Sequence, residues 1–462
     1  MANPRRELGT ADQKDIAQLL IEWLPSQRWF AGKGHVLTEV RLSQVSTLPG
    51  ADAVAHLVVG VQLDGDHWQA YQVPVSLRAD ATPGASLIGR LPSGGWVHDA
   101  LADPDAMTAM LGNGAAAPSV DPARTHGVDP AHGEHPVPQL QAVVDPASYR
   151  TAAARPMSVE QSNTSILLGD VALLKVFRQL TPGINPDVEV HAALGSVGCR
   201  HVGRCLGWVN GGWREPASGH WVAGHLAMVQ QLLSPPVDGW GLALERVAAG
   251  ASFADDAHAL GVATGEVHID LRRALPTRTL GATELGELVD RLHWRLDRAA
   301  AAVPELAPMS KRLHERFRAL GHLGRPITVQ RVHGDFHLGQ VLRAADGWKL
   351  LDFEGEPGAP MADRVVPDHP LRDVAGMLRS FAYAAAHGRA GLDPAVVATW
   401  RADCERAFLA GYAGSGAADP TADADILAAY LVDKAAYEAA YEKRNRPDWL
   451  AIPMEALAEL AR

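Results

Sequence analysis

The hydrophobic pattern of this chain changes its period near residue 234, and this change constrains the fold more than any other feature. Before it, apolar and polar residues alternate over stretches such as 53–61 and 68–75, which is typical of strands. After it, apolar residues recur at helical spacing in three stretches, 257–271, 283–299 and 309–320. Strands followed by helices predict an α+β protein with a sheet-rich first half and a helical second half.

Length and composition divide the chain further. With 462 residues it exceeds one ordinary core, so two or three domains are expected. Residues between Leu111 and Val137 are mostly Gly, Ala, Pro, Asp and His, which indicates a linker or loop with little to bury. The predicted segments are a helix-plus-sheet unit at 1–110, a linker at 111–137, a strand-rich region at 138–233 and a helical region at 234–462.

Charge and hydropathy exclude several classes of protein. The net charge of -11 argues against nonspecific nucleic-acid binding, because the phosphate backbone would be repelled. No stretch approaches the roughly 20 apolar residues that cross a bilayer, and the N-terminus has no apolar run of the secretory kind. The three cysteines form neither a disulfide framework nor a zinc motif. We therefore expect a cytoplasmic protein with no membrane or nucleic-acid partner.

An aromatic and basic segment at 27–34 follows a predicted helix that Pro25 ends. In one interpretation Arg28 and Lys33 lie near an anionic ligand. In the other, Trp29 and Phe30 fill a core while the two cations face water. Further on, residues 64–66 read Asp-Gly-Asp, which predicts a turn between two strands.

The polar residues at 333–354 carry the predicted chemistry. Asp335 follows a short apolar strand and could take a proton from a hydroxyl group, which orients that oxygen for attack. Gln340 and Asp352 offer the oxygen ligands that Mg²⁺ prefers, and Glu354 could either assist them or form a salt bridge. His333 is interpreted as support for the backbone of this loop. Together these residues predict phosphoryl transfer from a nucleotide.

A second set of residues predicts the nucleotide site. Lys175 lies in an apolar strand, where its charge is costly to bury unless it meets an anion such as a phosphate. In the alternative interpretation, the strand lies at the edge of the sheet and the lysine reaches water. A polar turn, a strand lysine and a helical acid occur in the order found in protein-kinase-like phosphotransferases. The predicted ATP-binding residues are Lys175 with its partner Glu189, the polar turn residues Gln161, Ser162, Asn163 and Thr164, and the hinge residues Gln230, Gln231 and Leu232.

The chain resembles the actinobacterial maltokinases, a branch of the aminoglycoside-phosphotransferase-like kinases. The matching stretches are QRWFAG at 27–32, VEQSNTS at 159–165, HGDFHLGQVL at 333–342, DFEGEP at 352–357, PLRDVAGMLRSF at 370–381, YEAAYE at 437–442 and RPDWL at 446–450. The resemblance implies a bilobal protein-kinase-like fold with an N-terminal cap, and ATP with Mg²⁺ as cofactors. It also implies conversion of maltose to maltose 1-phosphate for α-glucan synthesis, with an enzyme of trehalose and maltose metabolism as a candidate partner.

The resemblance also implies roles for individual residues. Asp335 becomes the catalytic acid, Gln340 and Asp352 the metal ligands and Lys175 the phosphate lysine. The sugar-facing candidates are Arg372, Asp373, Asp433, Lys434, Tyr437, Glu438, Tyr441, Glu442 and Trp449. Helical spacing puts Asp433, Tyr437 and Tyr441 on one face and Lys434, Glu438 and Glu442 on another. Each candidate could instead be a surface salt bridge or a core tyrosine.

Other activities remain open on the sequence. A glucosamine kinase that forms glucosamine 6-phosphate is the main alternative, because related enzymes of this architecture phosphorylate that aminosugar. An aminoglycoside phosphotransferase and a catalytically silent kinase-like binding protein are further alternatives.

Overall fold

The computed structural model describes residues 8–48, 54–65, 67–81, 84, 86–103, 106, 110–111, 138–157, 162–233, 236–356, 359–388 and 391–462. The chain divides into two compact units. The sheet unit comprises Met1–Ala192 and Arg204–Leu232, and the helical unit comprises Ala193–Gly203 and Leu233–Arg462. Apart from Leu111, the predicted linker lies outside the described residues, and so does Gln161.

The sheet unit consists mainly of antiparallel strands. Its strands are β1 Leu37–Thr47, β2 Val54–Leu63, β3 His67–Arg78, β4 Leu87–Arg90, β5 Trp96–Asp99, β6 Gln139–Ala142, β7 Ala154–Pro156, β8 Thr164–Leu168, β9 Ala172–Val176, β10 Gln179–Leu180, β11 Cys205–Arg214 and β12 Trp221–Gln231. Its helices are α1 Thr10–Trp23 and α2 Ala147–Arg150, and α3 Pro186–Ser196 begins in it.

The first sheet of this unit has the order β1-β2-β3-β5-β4, with β10 paired to β3. Asp64 and Gly65 adopt positive φ angles of 50° and 95° between β2 and β3, which confirms the predicted turn at these two residues; Asp66 lies outside the described part. Trp29 and Phe30 are each 3% exposed in the core beneath this sheet. Arg28 and Lys33 are exposed, so the interpretation as a core plug is confirmed.

The second sheet has the order β6-β11-β12-β9-β8-β7, and all its neighbouring strands are antiparallel. Strand β9 is therefore an interior strand of the sheet. Its residue Lys175 lies opposite Ser165 on one side and Met228 on the other. Ala172, Leu174 and Val176 of β9 are buried in the core of the sheet unit, which fixes the position of the strand and of its lysine.

The helical unit contains nine α-helices among its described residues. These are α4 Gly239–Ala248, α5 Ala254–Ala274, α6 Ala282–Ala302, α7 Ala307–Gly321, α8 Met361–Arg364, α9 Leu371–Gly388, α10 Pro394–Gly414, α11 Ala424–Asn445 and α12 Ala451–Leu460. Short strands join them, namely β13 Val237–Asp238, β14 Arg278–Leu280, β15 Ile327–Val329, β16 Val341–Ala344 and β17 Gly347–Leu350. The three predicted helical stretches fall within α5, α6 and α7, which confirms them. Within the described residues, no helix has the length and apolar character needed to span a membrane.

Helices α5 and α10 touch along their backbones. A Cβ atom on Gly411 would lie 2.1 Å from the carbonyl oxygen of His258, and one on Gly261 would lie 2.1 Å from that of Phe408. Only glycine allows this approach. The close contact brings His268 of α5 within hydrogen-bond distance, 2.9 Å, of the Tyr412 hydroxyl on α10.

Candidate active site

The loop at 333–340, here called the catalytic loop, is held by a buried carboxylate on α9. Asp373 accepts the backbone N–H of His333 at 2.7 Å and that of Gly334 at 2.9 Å. The side chain of Asp373 is only 1% exposed. These bonds fix the backbone immediately before Asp335, the predicted catalytic acid.

Asp373 is itself held by the histidine of α5. His268 Nε2 lies 3.0 Å from Asp373 Oδ2, and His268 Nδ1 bonds the Tyr412 hydroxyl. Burial alone would raise the pKa of the Asp373 carboxyl, but the hydrogen bond and charge of His268 hold that pKa below its usual value. The prediction that Asp373 contacts the sugar is therefore wrong, because its oxygens are buried and occupied by the catalytic loop and His268.

His333 supports the same loop from within. Its Nε2 lies 2.6 Å from the carbonyl oxygen of Leu351, and its Nδ1 accepts the N–H of Asp335 at 3.4 Å. The ring packs between Phe336 and Phe353, with centroids 5.3 and 4.9 Å away. The predicted role of His333 as backbone support is confirmed.

The carboxylate of Asp335 lies beside a cation from α11. Lys434 Nζ is 3.2 Å from Asp335 Oδ1, and His337 Nε2 is 4.0 Å from Asp335 Oδ2. Burial would raise the pKa of Asp335, but the charges of Lys434 and His337 and the hydrogen bond from Lys434 lower it overall. Burial would likewise lower the pKa of Lys434, yet Asp335 and Glu438 raise it overall. Asp335 is consequently ionised and able to accept a hydrogen bond from a hydroxyl group.

Two of the predicted metal ligands, Asp352 and Glu354, lie close together after the β16–β17 hairpin, and Gln340 lies directly before it. The backbone carbonyl of Gln340 accepts the N–H of Leu351 at 3.0 Å, which places Gln340 beside the residue that precedes Asp352. Asp352 adopts φ 67°, which is unusual for a residue other than glycine and marks a constrained site. A side-chain oxygen of Asp352 lies within 4.8 Å of one from Glu354. Carboxylate oxygens at this spacing suit Mg²⁺.

Two glycines allow this segment to approach the catalytic loop. Gly334 has φ 86° and Gly355 has φ 73°. A Cβ on Gly334 would lie 3.1 Å from the Cα of Gly355, which is tighter than ordinary contact. The loop that carries Asp335 therefore runs directly beside the segment that carries Asp352 and Glu354.

A network of ion pairs surrounds the predicted acceptor residues Arg372 and Asp433. Arg372 bridges Glu356 at 3.2 Å and Asp368 at 3.0 Å. Arg295 Nε lies 3.1 Å from Asp433 Oδ1, without the geometry of a hydrogen bond. Burial raises the pKa of Asp433, although Arg295 and Arg372 oppose that shift. Both predicted residues thus belong to a partly buried network with alternating charge.

The other predicted face of α11 points towards α9. Glu438 Oε2 accepts from Arg379 Nε at 2.8 Å. Glu442 accepts from the Tyr383 hydroxyl at 3.1 Å and from Arg446 at 2.7 Å. Glu438 and Glu442 share one face as predicted. Their predicted contact with sugar is corrected, because these bonds tie α11 to α9 and to its own end.

Aromatic side chains remain available on this side of the helical unit. Tyr437 and Tyr441 stack with ring centroids 6.4 Å apart, as their spacing on one helix face predicts. Tyr441 is 40% exposed. Trp449 packs against Arg446, whose guanidinium carbon is 4.5 Å from the ring centroid, and against His387. Exposed aromatic faces of this kind suit the apolar face of a pyranose ring.

In the sheet unit, Lys175 forms an ion pair with a different acid from the one predicted. Its Nζ lies 2.7 Å from Asp187 Oδ2, and both side chains are buried. Asp187 lies in the first turn of α3 and points inward, whereas Glu189 lies two residues, or about 200°, further round the helix. The predicted pairing with Glu189 is corrected to Asp187. Burial would raise the pKa of Asp187, but Lys175 and His191 lower it strongly.

Thr164 has a structural role in the same unit. Its Oγ1 accepts from Arg178 Nε at 2.8 Å, and Arg178 NH2 lies 2.5 Å from Asp99 Oδ2. The Arg178 guanidinium also lies 4.5 Å from the ring centroid of Trp29. Thr164 is 1% exposed, so the predicted nucleotide contact of its hydroxyl is corrected to a contact with Arg178.

The remaining predicted nucleotide residues lie at the ends of strands. Asn163 Nδ2 donates to the Ser162 hydroxyl at 3.3 Å in the turn before β8. At the end of β12, the N–H of Gln231 donates to the carbonyl of Arg204 at 2.8 Å, and that of Leu232 donates to Val171 at 3.0 Å. Gln230 pairs with Leu173 within the sheet. The N–H groups of Gln231 and Leu232 are therefore already used by other parts of the sheet unit, so these two N–H groups cannot bind an adenine.

Sequence reasoning missed several charged residues of these networks, namely Asp187, Arg178, Glu356, Arg295 and Asp368. One signal was present, because Asp187 shares the helix face of the buried residues His191 and Leu194 at spacings of four and seven. Asp368 lies four residues before its partner Arg372, a spacing that is visible in the sequence. No comparable signal marks Arg295, whose partner Asp433 lies on another helix.

Comparisons with known proteins bear on this arrangement. The family model described as the maltokinase N-terminal cap domain matches residues 23–103. A glucosamine kinase from Streptacidiphilus jiangxiensis is 30% identical over 335 residues, which are 66% of this chain and 73% of that protein. A glucosamine kinase from Mycolicibacterium smegmatis is 29% identical over 350 residues, 68% of this chain and 81% of that protein.

A solved structure of a glucosamine kinase in complex with glucosamine, ADP and inorganic phosphate shares the fold of this chain. It gives a TM-score of 0.65 at 24% identity and covers 95% of this chain and 98% of that one. The α+β architecture described above is therefore the kinase-like fold with an N-terminal cap, as the sequence predicted.

Proposed function

The chain belongs to the sugar kinase family of the glucosamine kinases and is an ATP-dependent sugar kinase, and we propose that its acceptor is maltose. In this proposal the γ-phosphoryl group of ATP passes to the anomeric hydroxyl of maltose. The product is maltose 1-phosphate, an activated disaccharide suited to α-glucan synthesis. An enzyme of trehalose and maltose metabolism as a protein partner remains a prediction.

The observation that supports maltose is that the carboxylates near the predicted acceptor residues are already paired with cations. Each already has a cation beside it: Glu356 and Asp368 have Arg372, Asp433 has Arg295, Glu438 has Arg379, Glu442 has Arg446 and Asp335 has Lys434. A positively charged aminosugar would compete with these cations and would meet the ammonium of Lys434 next to the catalytic acid. A neutral sugar avoids both penalties and can stack on Tyr437 and Tyr441.

In the proposed reaction, Asp335 is the catalytic base and Lys434 helps to position the sugar. Asp335, ionised and fixed by its neighbours, accepts the hydrogen bond of the acceptor hydroxyl and takes its proton as the new P–O bond forms. The bond between the γ-phosphorus and the bridging oxygen of ATP breaks, and ADP leaves. Lys434 and the donors around it orient the sugar.

In the sheet unit, Lys175 is proposed to contact the phosphates of ATP, held in position by Asp187. Ser162 and Asn163 would offer polar groups in the turn before β8. The carbonyl groups at Gln230 to Leu232 would accept from the adenine amino group. Glu189 is left without an assigned role.

Mg²⁺ fits the residues of the helical unit, because Gln340, Asp352 and Glu354 offer hard oxygen ligands at the same hairpin end. We expect Gln340 and Asp352 to bind it and Glu354 to bind it directly or through water. When bound, the ion neutralises phosphate charge during transfer.

Glucosamine is the second candidate acceptor, favoured by the 30% identity to a curated glucosamine kinase. The position of phosphorylation would then be the 6-hydroxyl. The two candidates differ in charge, so they make opposite predictions for the role of Lys434. If the acceptor is a neutral sugar that Lys434 donates to, replacing this lysine by a neutral residue should lower kcat/KM for that sugar. If the acceptor is an ammonium sugar that Lys434 repels, the same replacement should raise kcat/KM.

The test is an ADP-coupled assay of the purified protein with maltose, glucose and glucosamine, each with ATP and Mg²⁺. We expect the highest kcat/KM for maltose, and a ³¹P spectrum of the product should show an anomeric phosphate. Higher kcat/KM for glucosamine, increased further in Lys434→Met, would replace the proposal by the second candidate. Turnover that persists in Asp335→Asn would contradict the assignment of the catalytic acid.

A further inference from the structure

A cavity of about 200 Å³ opens in the helical unit beside α5 and α10. Its volume equals that of several water molecules, which is room for one small ligand. The lining residues used below are His268, Arg272, Arg325, Gln330, His369 and Tyr412. None of the predicted acceptor residues Arg372, Asp433 or Tyr437 lines it.

The lining of this cavity carries two arginines and one carboxylate, Asp423, so its charge is net positive. Arg272 and Arg325 are both exposed at the rim. Arg325 pairs with Asp423, whereas Arg272 has no ion-pair partner among the residues that the structure describes. The chain as a whole has a net charge of -11, so a local positive site in it is selective for anions. Guanidinium groups match phosphate oxygens with paired hydrogen bonds.

The floor of the cavity offers a neutral donor. His369 Nδ1 accepts the N–H of Leu371 at 3.2 Å, so the hydrogen of the neutral ring lies on Nε2. Nε2 has no hydrogen-bond partner among the described residues. Burial lowers the pKa of His369 to about 4, which keeps the ring neutral near pH 7. A ligand with acceptor oxygens would satisfy this N–H.

The floor is also bonded to the catalytic loop. Gln330 Nε2 donates to the carbonyl of His268 at 2.8 Å, and His268 bonds both Tyr412 and Asp373. Asp373 in turn accepts the N–H groups that precede Asp335. A molecule in the cavity therefore touches residues that are two hydrogen bonds away from the backbone of the catalytic loop.

We infer that this cavity is a regulatory site for a small phosphate-bearing anion, either free phosphate or a phosphate monoester. The two arginines bind the phosphate oxygens, and His369 donates from the floor. Occupancy changes turnover by acting on His268 and hence on Asp373. This site is separate from the proposed acceptor residues, so it does not depend on which sugar is phosphorylated.

Isothermal titration calorimetry of the full chain with inorganic phosphate, and separately with glucose 1-phosphate, tests the binding. Saturating ADP and Mg²⁺ are present in both titrations, because phosphate can also bind near a nucleotide. We expect Arg272→Gln to weaken binding by about tenfold or more and Arg325→Gln to act in the same direction. The matched control is Arg273→Gln, since Arg273 is exposed on the same helix, pairs with Asp270 and does not line the cavity.

The two titrations also distinguish the sources of the ligand. Tighter binding of the ester supports a phosphorylated metabolite, and equal binding supports free phosphate. Equal affinity in wild type and Arg272→Gln would overturn the site. The steady-state rate of wild type should change with phosphate at constant ionic strength, while that of Arg272→Gln should not. Binding to the cavity without any change in rate would overturn its regulatory role.

Discussion

Replacement of Lys434 by methionine tests how the catalytic acid is kept ionised. The change keeps the length of the side chain and removes its charge. In the wild type, burial opposes ionisation of Asp335, and Lys434 is the largest influence in the other direction. The variant should therefore raise the pKa of Asp335 and move the acid limb of the pH profile of kcat/KM to higher pH.

The geometry sets the size of the effect. Two unit charges 3.2 Å apart attract by about 1.3 kcal/mol at the dielectric constant of water and by about 5 kcal/mol at an effective value of 20. The two side chains are 25% and 19% exposed, so the attraction lies between these limits. Each 1.4 kcal/mol is about a tenfold change in the ratio of ionised to protonated Asp335 at fixed pH. We therefore expect Lys434→Met to lower kcat/KM by tenfold or more at acid pH and by less near pH 8.

The assay is the pH dependence of kcat/KM in the ADP-coupled format, with Lys443→Met as the matched control. Lys443 lies on the same helix, but its ion pair with Glu305 is exposed, so its removal should leave the profile unchanged. Stability gives a second measure. Because the folded pKa of Asp335 is depressed, its contribution to the free energy of unfolding is present above the unfolded pKa and lost as pH falls through the folded pKa. In Lys434→Met, the free energy of unfolding should not show this decrease as the pH falls.

The reasoning would be refuted by an acid limb that stays at the wild-type pH while turnover falls equally at all pH values. That result would assign Lys434 to substrate contact alone. A shift of the same size in Lys443→Met would show that overall charge, and not the 3.2 Å pair, controls the profile.

Four further predictions concern positions outside this pair. Asp373→Asn, which disturbs the bonds that hold the catalytic loop, should lower kcat by about tenfold to a hundredfold while the KM for ATP stays constant in steady-state kinetics. Arg178→Met leaves a carboxylate buried and should lower the free energy of unfolding by about 3 to 5 kcal/mol in a guanidinium chloride titration; a loss below about 1 kcal/mol would contradict this. Gly411→Ala should destabilise by about 1 to 3 kcal/mol, because its Cβ would overlap a carbonyl oxygen of α5. In contrast, Gly286→Ala in α6, where a Cβ meets nothing within 4 Å, should raise the free energy of unfolding by up to about 1 kcal/mol; guanidinium chloride titrations of both glycine variants measure the two effects.

The sequence predicted features whose parts lie close together along the chain. Gln340 and Asp352 flank one short hairpin, and Asp335 lies in the loop before it, so the chain itself keeps the three residues near one another. The turn at Asp64 and Gly65 follows from the backbone conformations that these residues tolerate. The helical stretches followed from apolar periodicity, which does not depend on knowing the partner helix.

The sequence could not identify which side chain meets which across different elements. Helical spacing placed Glu438 and Glu442 on one face of α11, but only the packing of α9 shows that this face carries ion pairs. Similarly, the choice between Asp187 and Glu189 as partner of Lys175 depends on which side of α3 faces the sheet. Asp373 has the composition of a ligand-binding residue, and its structural role becomes visible only through its contacts with a loop about 40 residues earlier.

The separation of Asp335 from Lys434 along the chain has a consequence for how the enzyme is made. The two residues are 99 positions apart, and a ribosome adding about 5 to 20 residues per second completes that interval in about 5 to 20 s. Asp373 emerges during this time and can fix the backbone of the loop, whereas the cation that keeps Asp335 ionised arrives later, with α11. In a nascent chain, the residues that bond the backbone of the catalytic loop are therefore available before the cation that pairs with Asp335.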